Sequence, residues 1–155
     1  MSYEENLGKL GLVLPDAPTP RGAYLPAVRA GDLLFLSGQL PLEGGKLAFS
    51  GKLGAELNVE QGQEACRKAV LNALAVIKQD LGSLERVERI LRLEVYVASA
   101  PGFTQQPQVA NGASELLAQV FGDAGRHARL AVGAAELPLN APVEIALILA
   151  VRGGG

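Results

Sequence analysis

The chain has 155 residues, 48% hydrophobic and 19% charged, with a net charge of −2, a pI near 5.5 and a mean hydropathy of +0.20. That size suits one domain burying roughly two thirds of its surface, and no apolar run approaches the ~18 residues of a membrane span. The acidic balance, the lack of Trp, and the alternation of Arg86, Arg89 and Arg92 with Glu85, Glu88 and Glu94 speak against a basic phosphate track or a base-stacking platform, so no nucleic-acid partner is expected.

Apolar positions at Leu7, Leu10 and Leu12 predict a short helix within residues 3–12, and Pro15, Pro18 and Pro20 predict an extended connector up to Arg21. Residues 1–21 therefore read as an N-terminal helix and connector, 22–152 as the domain and 153–155 as a tail. The first residues, Met1 to Glu5, have neither the basic nor the apolar region of a signal peptide. With a single cysteine, Cys66, unable to form an intrachain disulfide, the cytoplasm is the expected compartment. Tyr24 to Arg29 alternates weakly, Gly31-Asp32 supplies a turn, and Leu33 to Leu36 is a buried strand, which together read as a hairpin. Ser37-Gly38-Gln39 breaks that strand, and Lys46 to Phe49 is a weaker one.

A helix is predicted from about Val59 to Leu81. Asn58 is its cap, Gln61 stands at the capping-box position, and Gly82 ends it. Val70, Leu74, Ile77 and Leu81 form its apolar stripe. A strand from Ile90 to Ala98 should turn Leu91, Leu93, Val95 and Val97 to one face and Arg92, Glu94 and Tyr96 to the other. A second helix is expected from near Val109 to Phe121, with Leu116, Leu117, Val120 and Phe121 inward. Two apolar runs, Leu130 to Leu137 and Val143 to Val151, close the chain. The order β-β-(β)-α-β-α-β-β predicts an α+β fold, a mixed sheet with two helices on one face. The other face would be bare, and the continuous apolar strands imply that other subunits cover it.

Several segments resemble one family. Ser37-Gly38-Gln39-Leu40-Pro41 is similar to the SGQ-hydrophobic-Pro segment of the YjgF/RidA (L-PSP endoribonuclease) proteins. Tyr24, fourteen residues before Gly38, falls where that family has an early Tyr. Asn72 with Leu74 and Val76, Ala128-Arg129, and Pro142-Val143-Glu144-Ile145 match further family segments. The fifteen residues from Arg129 to Glu144 also fit. The resemblance covers roughly residues 22–151 and implies a chorismate-mutase-like fold. It also implies a homotrimer with three inter-subunit clefts, and the longer N-terminus with the stretch from Ala98 to Ser114 suggests a YjgF-like subgroup rather than the best-known deaminases.

Two residues stand out chemically. Arg129 offers the paired donors that match a carboxylate; the alternative is a surface salt bridge. Glu144 interrupts an apolar strand, where a carboxylate is costly unless paired or at a cleft; the alternative is an edge charge facing solvent. The resemblance implies that Arg129 clamps a substrate carboxylate and that Glu144 activates water. It further implies that Tyr24, Gly38 and the backbone of Ala131 complete the substrate pocket. Asn111 lies one residue from the place where the family has an Asn. His127, the one histidine, has no Cys/His cluster around it, so no metal is expected, and no cofactor fingerprint is present. Cys66 reads as a small packed side chain. Two departures are Leu130, where the family usually has Ser, and Ala146, where it has a second Glu.

The expected function is therefore cofactor-free hydrolysis of small enamine/imine carboxylates such as 2-aminoacrylate to 2-keto acids and ammonia. A non-catalytic metabolite-binding trimer, motivated by Leu130, is the alternative. An endoribonuclease or translation inhibitor ranks third.

Overall fold

A computed structural model describes residues 2–153, so the last two residues of the expected tail, Gly154 and Gly155, lie outside the described residues. The chain begins with helix α1 (Tyr3–Lys9) and strands β1 (Ala27–Ala30) and β2 (Leu33–Leu36). A small hairpin follows, β3 (Leu42–Glu43) with β4 (Lys46–Leu47), then helix α2 (Val59–Leu81). Strand β5 (Val87–Ala98), helix α3 (Gln106–Phe121), strand β6 (Ala128–Ala134) and strand β7 (Val143–Val151) complete it.

Local chemistry fixes the long helix. The Asn58 side chain accepts from Gln61 N–H, the Gln61 side chain accepts from Asn58 N–H (both 2.9 Å), and Gly82 adopts the left-handed conformation at φ 86°. All four residues of the predicted stripe are buried, as are Leu116, Leu117, Val120 and Phe121 of α3. Side chains of this size each contribute about 1.5–3 kcal/mol when fully buried.

The main sheet has the order β1-β2-β7-β5-β6, with β5–β6 parallel and the other pairs antiparallel. Helices α2 and α3 pack on each other and against one face. The centre of the sheet, β7, alternates strictly. Val143, Ile145, Leu147, Leu149 and Val151 are buried beneath the helices, while Glu144, Ala146, Ile148 and Ala150 point to the uncovered face. On that face Ile148 pairs with Phe35, Ala150 with Leu33, and Phe35 with Val28. Phe35 and Val28 remain 40% and 53% exposed, so a contiguous apolar strip runs over an unlayered sheet.

The structure corrects several expectations. Strand β5 starts at Val87, and irregular pairing with β7 between Ile90 and Arg92 shifts its register, so Ile90 rather than Leu91 is buried. Helix α3 starts at Gln106, three residues early, because Pro107 is tolerated in a first turn where its missing N–H has no partner to lose. The first hairpin begins only at Ala27, leaving Tyr24 in the approach to the strand, and the expected strand from Lys46 to Phe49 is the two-residue β4. Among the described residues no helix is long and apolar enough to cross a membrane.

Candidate active site

Gly38 and Glu144 meet through a short backbone bridge. Gln39 N–H donates to Ile145 C=O at 2.7 Å, and Ile145 N–H returns to Gln39 C=O at 3.0 Å. The loop after β2 is thereby fastened beside β7, with Gly38 against the Glu144 side chain. A Cβ at Gly38 would sit 3.1 Å from Glu144 Cδ and collide outright with the carboxylate oxygen. The glycine leaves the Glu144 carboxylate free to occupy this position. Behind the loop, Asn72 of α2 is buried and donates to both Leu40 C=O and Leu42 C=O at 3.0 Å. The Ser37 hydroxyl donates to Leu25 C=O at 2.6 Å, and Ser37 N–H to Pro26 C=O at 3.0 Å, which brings the Tyr24 segment alongside.

These anchors frame a cleft of about 330 Å³ whose walls include Tyr24, Gly38, Gln39, Leu139 and Glu144, with Pro18 to Arg21 of the connector at the rim. Glu144 has no hydrogen bond among the described residues, and burial raises its carboxyl above the ordinary range. A carboxyl so placed holds its proton more readily than one in water. Across β5 its register partner is Tyr96, whose hydroxyl donates to Glu94 at 3.2 Å; burial first, then the Glu94 charge, raises that phenol. Leu139, in the turn before β7, holds φ 61° and is 55% exposed at the cleft wall.

Arg129 lies elsewhere. It sits on the edge strand β6, in register with the buried Leu93, and its guanidinium turns toward α3, donating to Asn111 Oδ1 at 2.8 Å and Ser114 Oγ at 3.2 Å. Ser114 Oγ is also 2.9 Å from His127 Nε2, and His127 Nδ1 is 2.6 Å from Gly125 C=O. With Nδ1–H donating to that carbonyl, Nε2 is left to accept from the Ser114 hydroxyl. Burial, then the Arg129 charge, lowers the His127 pKa against the raising effect of its bond to Gly125. Arg129, Ser114 and His127 line a separate open groove.

Of the sequence-predicted site residues, then, Tyr24, Gly38 and Glu144 share one cleft. Arg129 and Ala131 do not join them within one chain: Ala131 packs on the core from β6, on the helix side of the sheet. Asn111, set aside for its one-residue offset, is a direct partner of Arg129, since a helix places residues three apart on one side and so delivers Asn111 and Ser114 together. Arg21, at the end of the connector that Pro15, Pro18 and Pro20 predict, also lines the cleft. Among the described residues no group of three or more His, Cys, Asp or Glu side chains is gathered for a metal. Cys66 is buried, and burial pushes its thiol up to about 12.

Comparison with known proteins supplies an independent line. Residues 4–151 match the family described as "YjgF/chorismate mutase-like, putative endoribonuclease". Protein TCP17 of Trypanosoma cruzi is 47% identical over 141 residues, 90% of this chain and 88% of that one. The crystal structure of an Agrobacterium tumefaciens protein of unknown function superposes with a TM-score of 0.91 at 44% identity, covering 97% of this chain and 92% of the other. More distantly, a 2-iminobutanoate/2-iminopropanoate deaminase of Dermatophagoides farinae is 27% identical over 138 residues, 89% of this chain and 93% of that one.

Proposed function

The chain belongs to the YjgF/chorismate mutase-like family, and on that premise we propose that it hydrolyses small enamine/imine carboxylates to 2-keto acids and ammonia, in clefts between the subunits of a homotrimer. The observation that carries the reading is the half-buried, unpartnered Glu144 held beside Gly38 and Tyr24 in a preformed cleft. The distant deaminase relative supports the chemistry.

In the proposed reaction Glu144 takes a proton from water as its oxygen attacks the imine carbon. An enamine first tautomerises to the imine; the proton from water passes to nitrogen to give the carbinolamine, whose hydroxyl proton then moves to nitrogen as the C–N bond breaks, releasing ammonia and the keto acid. The substrate is already electrophilic, so positioning supplies much of the acceleration.

A carboxylate clamp from Arg129 requires a second chain. Glu144 faces the uncovered side of the sheet from its central strand, whereas Arg129 faces α3 from the edge strand. The apolar strip of Val28, Leu33, Phe35, Ile148 and Ala150 is the surface such a chain would cover. The partner subunit's Arg129 then enters the cleft, and the edge backbone at Ala131 supplies unpaired groups beside it. Leu130, on the uncovered face in register with Glu94, favours the second reading, a trimer that binds such metabolites without turning them over.

The test is ammonia release from freshly generated 2-aminoacrylate by native protein, Arg129→Ala and Glu144→Gln, with mass measured by light scattering. Both variants should be inactive as trimers. If the cleft joins two chains, re-equilibrating the variants at equal ratio restores about one quarter of the clefts, since each needs an intact Glu144 from one chain and an intact Arg129 from the next. Full activity in Arg129→Ala would overturn the clamp, and an inactive native trimer would favour the binding reading.

A further inference from the structure

We infer that Arg21 is a second anion contact of the cleft and that the substrate is a 2-imino dicarboxylate, with an acid group remote from the imine carbon. The inference rests on the hydrolytic reading of the Glu144 site. Two charged residues line the cleft within one chain, Glu144 and Arg21. Within one chain, therefore, the cation that shares a cavity with Glu144 is Arg21. Its hydrogen bond, to Gly45 C=O, is 3.4 Å long, at the outer limit for such contacts. No carboxylate among the described residues lies within ion-pair distance of it. A guanidinium that stands at an apolar rim without an anion is a ready partner for one, and its fork matches a carboxylate.

Position and size agree. Pro18 and Pro20 fix their own φ on the approach, and Arg21, an exposed residue, follows them at the rim. The same connector residues, Pro18 to Arg21 with Leu42, line an adjoining cavity of about 520 Å³ beyond the cleft. Arg21 marks the junction of the two. The cleft that holds both charges is lined in large part by apolar side chains, Pro26, Leu40, Leu42 and Leu139 among them. Asp16 also lines the second cavity, and its charge disfavours an anion there. The cleft alone, at about 330 Å³, is in the range that holds ligands well above three carbons, roughly 300–1,000 Å³. In the reaction only C2 and its nitrogen change; the distal carboxylate stays intact and is held throughout.

The experiment compares imines generated in place by amino-acid oxidases from 2-aminobutanoate and from glutamate, for native protein, Arg21→Gln and Arg21→Lys. The ratio of kcat/KM for the dicarboxylate over the monocarboxylate should exceed one in native protein, fall about 10–100-fold in Arg21→Gln, and recover in part in Arg21→Lys. Binding of the keto-acid products, 2-oxoglutarate and 2-oxobutanoate, by calorimetry reads the same contact without turnover. Tighter binding of 2-oxoglutarate, lost in Arg21→Gln, supports the assignment even if no imine is hydrolysed, an outcome that would sink the deaminase reading alone. Hydrolysis with no preference for the dicarboxylate, or a ratio unmoved by Arg21→Gln, overturns the assignment and leaves the deaminase reading standing. Failure to bind either keto acid overturns it as well.

Discussion

Replacing Gly38 by Ala should separate activity from stability in one step. The added methyl would fall on the Glu144 carboxylate, with Cδ at 3.1 Å and Cγ at 3.3 Å. The obstacle is the far end of a flexible, partly exposed side chain, so Glu144 swings away and the backbone stays in place. An off-rotamer carboxylate costs about 0.5–1.5 kcal/mol. Gly→Ala at a position outside the left-handed region returns about 0.4–1 kcal/mol by restricting the unfolded chain. The balance is within about 1 kcal/mol, or a Tm change of at most ~2–4 °C for a domain of this length. Activity has no such compensation. A catalytic group displaced by about 1 Å loses on the order of 10²-fold in rate. We expect kcat/KM for ammonia release to fall about 100-fold with Tm preserved, and Gly38→Ala to add nothing in a Glu144→Gln background, because both act through one group. Activity within threefold of native, or a Tm loss beyond ~10 °C, would refute the reasoning.

Asn72→Leu removes the donor to Leu40 and Leu42 and leaves two carbonyls short of a partner; a loss of about 1–3 kcal/mol, read as a lower urea midpoint, is expected, with weaker catalysis because the Gly38 loop loosens. Because burial and Arg129 lower the His127 pKa, the folded state resists its protonation. Stability from this group is complete above 6.5, its ordinary value, and is lost as pH falls from there toward the lower folded-state value. Thermal melts between pH 7.5 and 5 should therefore slope less in His127→Gln than in native protein. With its thiol pushed up to about 12, Cys66 is thiolate at only about 1 part in 10⁴ at pH 8. A disulfide reagent should label it at the rate of unfolding, and fast native-state labelling would contradict the burial.

Legibility in the sequence followed the range of the forces. The ends of α2 were readable because each is set by a local contact, Asn58 with Gln61 three residues on, and Gly82 with Lys78 four residues back. The buried faces of α2 and α3 were readable because periodicity is local. The Ile90–Leu91 exchange was not, since a register irregularity depends on the partner strand. The spacing from Arg129 to Glu144 carried the family register, but not which side of the sheet each residue takes. That depends on β6 lying at the edge and β7 at the centre, an outcome of strand order. Arg21 had no local signature, because its meaning comes from Glu144, more than a hundred residues away, at the same cleft.

Leu139 shows what selection for robustness would do to this surface. A leucine at φ 61° occupies a conformation about 1–2 kcal/mol above the ordinary one, and its side chain is largely in water. Any screen for heat resistance would favour glycine there, since relief of strain outweighs the modest entropic penalty. The survivor would be hardier and would lack one wall of its cleft. Tolerance to heat and discrimination among ligands thus pull against each other at a single residue, and a thermostabilised form of this protein is best made with position 139 held fixed.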